Sequence, residues 1–165
     1  MKYIVLIFCL IIAACNPVST AITTTPAVII GVYDQMGKRA LWLERAEKGD
    51  IYAQYELGES LCCNSREGET NILESAKWFC KSAQNGNQNA MMSLARIFEG
   101  RKAQSVKVDK TKALGLYMMA DWRASLQGSM ERKRLQSQLS AEEVANAKNF
   151  AYYFDFHDCS KILTE

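Results

Sequence analysis

Apolar positions along this chain follow two regimes. Tyr3 to Ala14 is a nearly unbroken apolar run, whereas from Asp34 onward apolar residues recur every three or four positions. Ala53, Leu57 and Leu61 share one face of a predicted helix, and Ala90, Leu94 and Ile97/Phe98 share one face of the next. No sustained apolar–polar alternation appears downstream, so no strand is expected. Asp50 and Asn87 stand before these segments, and their side-chain oxygens suit the free amides of a helix start. Gly49 and Gly86 precede them, where a left-handed residue would end an earlier helix. Gly-Asp and Gly-Asn are therefore expected joints between antiparallel helices. Ser140 with Glu143 predicts a capping box, followed by a helix with Val144, Ala147 and Ala151 on one face. Both prolines, Pro17 and Pro26, lie upstream of all this, so none breaks a later helix.

The helical segments share an offset. Ala46, Gly49, Ala53 and Leu57 map onto Ala83, Gly86, Ala90 and Leu94, 37 residues later. These are the identical positions between residues 41–58 and 78–95, and they fall where packing is most demanding: the alanines allow close helix approach and the glycines permit the turn. Leu41-Trp42 corresponds to Trp78-Phe79 in the same register. A helix pair repeated at such a period marks an α-solenoid.

The segment WFCKSAQNGNQNAMMSLA (Trp78–Ala95) resembles the Sel-one-like repeat, a relative of the tetratricopeptide repeat with the pattern W-Y-x-K-A-A-x-x-G-x-x-x-A-x-x-x-L-G. Asp109, Lys112, Ala113, Leu116 and Tyr117 resemble that family's D-x-x-K-A-x-x-W-Y opening of the second helix. The resemblance covers roughly residues 38 to 126. It departs at Ala95, which stands where the earlier copy has Gly58, and in the interhelix stretches CCNSREGETN and GRKAQSVKV; it fades after Ala120. It implies an all-α fold: a short right-handed solenoid of antiparallel helix pairs over residues 31–139, closed by a capping helix and tail at 140–165. The first helix of each pair would line a groove, making Tyr55, Glu59 and their equivalents Met92 and Arg96 candidate partner contacts. Cysteine pairs seven residues apart, found in some members, are absent here, where Ala83 and Ala90 occupy those positions.

The opening run is about 18 Å long as a helix, against a hydrocarbon core of roughly 30 Å. It suits a signal peptide, residues 1–14, with Lys2 as its positive start. Ile12-Ala13-Ala14-Cys15 resembles the lipobox of bacterial lipoproteins, which implies cleavage before Cys15 and lipidation of that residue. Cleavage near Ala21 without lipid, and an uncleaved apolar start, are the rival readings. Residues 15–30, rich in Ser, Thr and Pro, are expected to form a tether, with the folded part starting near Ala27 or Tyr33. Asn16 rather than Asp after the cysteine favours the outer membrane, with the body facing the periplasm; a soluble periplasmic or secreted protein is the alternative.

Export changes how the cysteines read. Cys62, Cys63, Cys80 and Cys159 become disulfide candidates, with free buried thiols as an alternative and metal disfavoured by the lack of C-x-x-C spacing. A vicinal Cys62–Cys63 bridge would be strained. Antiparallel packing would separate Cys80 from both by about 10 Å or more, so at least one link from Cys62 or Cys63 to Cys159 is expected.

The remaining composition narrows the chemistry. A net charge of +2 over 165 residues gives no basis for nucleic-acid binding. The chain has 1 histidine, His157, flanked by Asp155 and Asp158 on a terminus, and a structural or surface role is expected for it. Tyr152, Tyr153, Phe154 and Phe156 are expected to fold over the last helices, and Glu131–Arg134 to form a solvated face. Serine followed three residues on by lysine, G-x-S-x-G, H-E-x-x-H and phosphate-loop patterns are missing. The function expected is an envelope-anchored scaffold that binds a protein or peptide, without cofactor or metal. The alternatives are a hydrolase directed at the cell wall or at β-lactams, and a purely structural lipoprotein.

Overall fold

The computed structural model describes residues 26–62, 71–102, 106–156 and 158–163. Within them lie eight α-helices and a single turn of 3₁₀ helix, with no strand among the described residues. The α-helices are α1 (Pro26–Glu47), α2 (Ile51–Cys62), α3 (Ile72–Gln84), α4 (Gln88–Phe98), α5 (Lys110–Trp122), α6 (Leu126–Gln136), α7 (Ala141–Tyr153) and α8 (Cys159–Ile162). The 3₁₀ turn, Phe154–Phe156, separates α7 from α8. No described helix is long and apolar enough to cross a membrane.

The chain divides into units of residues 1–36 and 37–165. In the first unit the description covers the backbone of residues 26–36, the opening of α1. Helix thus begins at Pro26, inside the stretch expected to be tether, because proline is well suited to a first helical position where its missing amide would be unpaired anyway.

In the second unit the joints work as expected. Gly49 and Gly86 have φ of +89° and +94°, a region open to glycine at little cost. Asp50 accepts from the amides of Tyr52 and Ala53, and Asn87 from that of Ala90. The Ser140–Glu143 capping box is complete in both directions, and Asp109 caps α5 by accepting from Lys112 N. A third joint was not evident from composition: Ala124 takes φ +62°, and Ser125 caps α6.

Each helix from α2 to α6 packs on its sequence neighbour, and α5 also packs on α7. This is the arrangement of an α-solenoid of stacked antiparallel pairs. Helix α5 is its centre: every residue from Ala113 to Ala120 is buried, so no polar stripe survives on its middle turns. Close approach to α5 is made through glycine. A Cβ on Gly128 would stand 2.9 Å from Asp121 N, and one on Gly115 would stand 2.8 Å from Ala147 O. A smaller cluster of Ala46, Ala53, Leu57 and Trp78, flanked by Trp42 and Leu61, joins α1, α2 and α3.

The C-terminal segment packs back on the helices before it, α7 on α5 and α8 on α3. Ala147 and Ala151 of α7 are buried as predicted, and Phe154 is fully buried. Tyr152 and Tyr153 depart from expectation: they are 74% and 48% exposed. Phe154 continues the buried face of Ala147 and Ala151 at helical spacing, and Tyr152 and Tyr153 lie off that face. Beyond the 3₁₀ turn, α8 packs on α3. Lys112 Nζ donates to Ile162 O at 2.9 Å, and Gln84 Nε2 to Phe154 O at 3.2 Å.

The disulfide pattern corrects the expected one. Cys159 bonds to Cys80, with Cα atoms 5.7 Å apart, not to Cys62 or Cys63. The short α8 lies along α3 and meets the middle of that helix instead of reaching the end of α2. Cys62 is itself disulfide-bonded, and its partner falls outside the described residues, as do Cys15, Cys63 and His157.

Candidate functional site

The caps Asp50, Asn87 and Ser125 align the first helices of three successive pairs, α2, α4 and α6. Counting from each cap, Tyr55, Met92 and Met130 are equivalent, and so are Glu59, Arg96 and Arg134. Side-chain bonds connect these helices in series.

Between α2 and α4, Glu59 Oε1 accepts from Ser93 Oγ at 2.8 Å and from Lys102 Nζ at 3.2 Å. Tyr55 rests beside Phe79, ring centroids 5.9 Å apart. Burial raises the pKa of its phenol, and the negative charges of Glu59 and Glu56 raise it further, while Arg96 opposes them. Tyr55, Glu59 and Arg96 therefore form one neighbourhood. Met92 is different. At 4% exposure it belongs to the core, and a partner could not touch it without displacing its neighbours.

Between α4 and α6 the predicted solvated face is a charge network. Arg134 Nη2 donates to Glu99 Oε1 at 2.6 Å, and its Nε donates to Glu131 Oε2 at 2.7 Å. Arg101 Nη1 donates to Glu131 Oε1 at 2.9 Å, and the buried Tyr117 donates its hydroxyl to Glu99 Oε2 at 3.0 Å. Burial pushes the Tyr117 phenol well above its ordinary range, with Glu99 adding to the effect. Burial also pushes Glu131 upward, but the hydrogen bonds from Arg101 and Arg134 outweigh it and hold the carboxyl below its usual value.

Glu131→Gln provides a check on that network. A folded pKa below the unfolded one adds stability above the ordinary carboxylate range, lost as pH falls through the folded pKa. The variant should lose about 1 kcal/mol at pH 7 and show a flatter decline in stability between about pH 6 and pH 3. Urea titrations across that range would read both, and parallel profiles for the two proteins would contradict the assignment.

Beside this network the surface is bare and apolar. Leu126 and Met130 are 78% and 65% exposed. With Gln127, Arg101, Glu131 and Arg134 they line an open depression of about 630 Å³. Leu126 and Met130 escaped notice in the sequence because the third joint carries Ala124 in place of glycine, and α6 buries little beyond Gly128 and Leu135. The signal that would have found them was Ser125, 38 residues after Asn87.

No family model matches the chain, and no curated protein matches it. Among solved structures, the chain is similar to a protective antigen present in uropathogenic Escherichia coli strains, whose crystal structure displays an SLR (Sel-one-like repeat) fold. The TM-score is 0.61 at 21% identity. The match covers 76% of this chain and 27% of that one, so this chain spans about a quarter of the antigen's length. The likeness shows the fold alone, an all-helical solenoid.

Proposed function

We propose that the chain is a non-enzymatic interaction scaffold whose first helices, α2, α4 and α6, receive a segment of another protein. The observation that carries this reading is the pairing of Leu126 and Met130, both bare, with a rim of arginines and carboxylates already locked in place. Apolar anchor positions ringed by ordered polar groups are the anatomy of a protein interface. Since the rim charges are paired with each other, the partner need only supply apolar side chains to the depression and an uncharged or balanced flank. Tyr55, Glu59 and Arg96 would extend the contact along α2 and α4.

A photo-crosslinking residue placed at Met130 should capture a discrete partner from native membranes, and Leu126→Asp should abolish capture. Equal capture from a control position on α7, such as Glu142, or none from position 130, would refute the site. Purified protein is expected to turn over neither β-lactams nor peptidoglycan. Turnover lost on His157→Ala would favour the hydrolase reading instead.

The scaffold would be held to the outer membrane by lipid on Cys15 and face the periplasm. What supports this is the lipobox-like Ile12-Ala13-Ala14-Cys15 and the Cys80–Cys159 disulfide, a bond characteristic of oxidising compartments. Mass spectrometry of the native N-terminus tests it: an acylated Cys15 is expected, and an unlipidated start at Ala21 or Ile22 would overturn it.

A further inference from the structure

A second cleft opens where the end of α5 meets α6 and α7, and its residues are distinct from those of the scaffold surface. Its volume is about 470 Å³, within the usual range of small-molecule sites, roughly 300–1,000 Å³. Two large rings line it in the open, Trp122 at 58% exposure and Tyr152 at 74%. An exposed Trp and Tyr on one cleft offer two flat, amphipathic ring faces to a ligand.

The polar members are arranged around one guanidinium. Arg132 donates from Nε to Asp121 Oδ2 at 2.7 Å and from Nη1 to Gln136 Oε1 at 3.0 Å. Two of the five N–H donors of arginine are thereby used to fix the fork, and the rest stay available. A guanidinium already held by the protein loses little freedom on binding an anion. Lys148, also lining the cleft, makes no ion pair with any described residue. Asp121 balances Arg132, so Lys148 leaves the cleft with one net positive charge.

We propose that this cleft binds a small carboxylate carried next to a flat ring, the ring lying against Trp122 and Tyr152 and the carboxylate meeting Arg132 and Lys148. The ring faces give affinity without strict identity, since stacking tolerates many planar groups. The arginine fork gives selectivity for the carboxylate over its neutral isosteres. The site is independent of the scaffold surface and stands or falls without it.

Calorimetry on the disulfide-intact protein tests this with three probes: N-acetylphenylalanine, its C-terminal amide, and N-acetylalanine. The acid with the ring should bind saturably and perturb tryptophan fluorescence. The amide and N-acetylalanine should each bind at least about ten-fold more weakly, one lacking the charge and the other the ring. Lys148→Gln should weaken binding several-fold, and Trp122→Ala should abolish both binding and the fluorescence change. Both side chains are exposed, so circular dichroism should stay unchanged in the two variants. Equal binding of acid and amide, equal binding of N-acetylalanine, or no saturation by about 10 mM, an affinity weaker than about −2.7 kcal/mol, would overturn the assignment.

Discussion

A chain carrying Cys80→Ala and Cys159→Ser is expected to be less stable than the parent by about 4 kcal/mol. The bond joins residues 79 apart in sequence, and a loop of that size removes much conformational freedom from the unfolded chain. Helix α8 has four residues and cannot hold itself in place. Its own attachment is small: Ile162 and Leu163 are buried, and Lys112 bonds the carbonyl of Ile162. Without the bridge the tail should therefore detach, leaving Cys80's surroundings on α3 open to water. Urea unfolding in non-reducing buffer reads the effect while sparing the disulfide that holds Cys62. With a slope of about 1–3 kcal/mol/M, the midpoint should fall by roughly 1.5–4 M. A shift under about 0.5 M would mean that the bond contributes little in solution.

The second large effect centres on Phe79, which is fully buried. Phe79→Ala should cost about 3–5 kcal/mol, the range for emptying an aromatic site in a core. The neighbouring Gly58 makes the prediction sharper. A Cβ at position 58 would stand 2.6 Å from Phe79 Cε1 and 2.7 Å from Cδ1. The carbonyl of Gly58 is also fixed by Ser75 Oγ at 2.7 Å, so the backbone cannot easily retreat. In a helix interior, Gly→Ala alone would gain about 1 kcal/mol. Here the clash with a packed ring wins, and Gly58→Ala should destabilise by about 1–3 kcal/mol. In the Phe79→Ala background the clash is gone, so the same substitution should become neutral or stabilising. Thermal or urea unfolding of the four proteins gives the coupling directly. Additive effects would show that the two residues do not touch as described.

The register that joins Gly58 to Phe79 was partly legible. The 37-residue offset and the glycine joints located α2, α3 and α4 because helix caps and left-handed stops are local chemistry. The third pair was harder to see. Ala124 adopts the left-handed conformation that glycine takes elsewhere, and α6 carries too few apolar residues for periodicity to reveal it. Its surroundings hold it as a helix: Gly128 seats against α5, and Glu131, Arg132 and Arg134 bond to Arg101, Asp121 and Glu99. The candidate groove showed the same division. Counting residues placed Tyr55, Glu59 and Arg96 together, but could not tell that Met92 is buried while Met130 is bare.

What the sequence determined by itself, then, was whatever depends on neighbours within a turn or two: the helices, their caps, the glycine joints and the repeat that makes an α-solenoid. The tertiary structure decided the pairing of Cys80 with Cys159, the fate of Met92 and Met130, and the gathering of Trp122, Tyr152 and Arg132 on one cleft. These turn on contacts that fall outside the repeat pattern. Each internal helix is covered by the next repeat, and the repeat pattern foretells that covering. At the last pair no further repeat follows α7 among the described helices. There a four-residue helix and a disulfide cover one part of the surface, while α6 and the aromatic cleft stay uncovered.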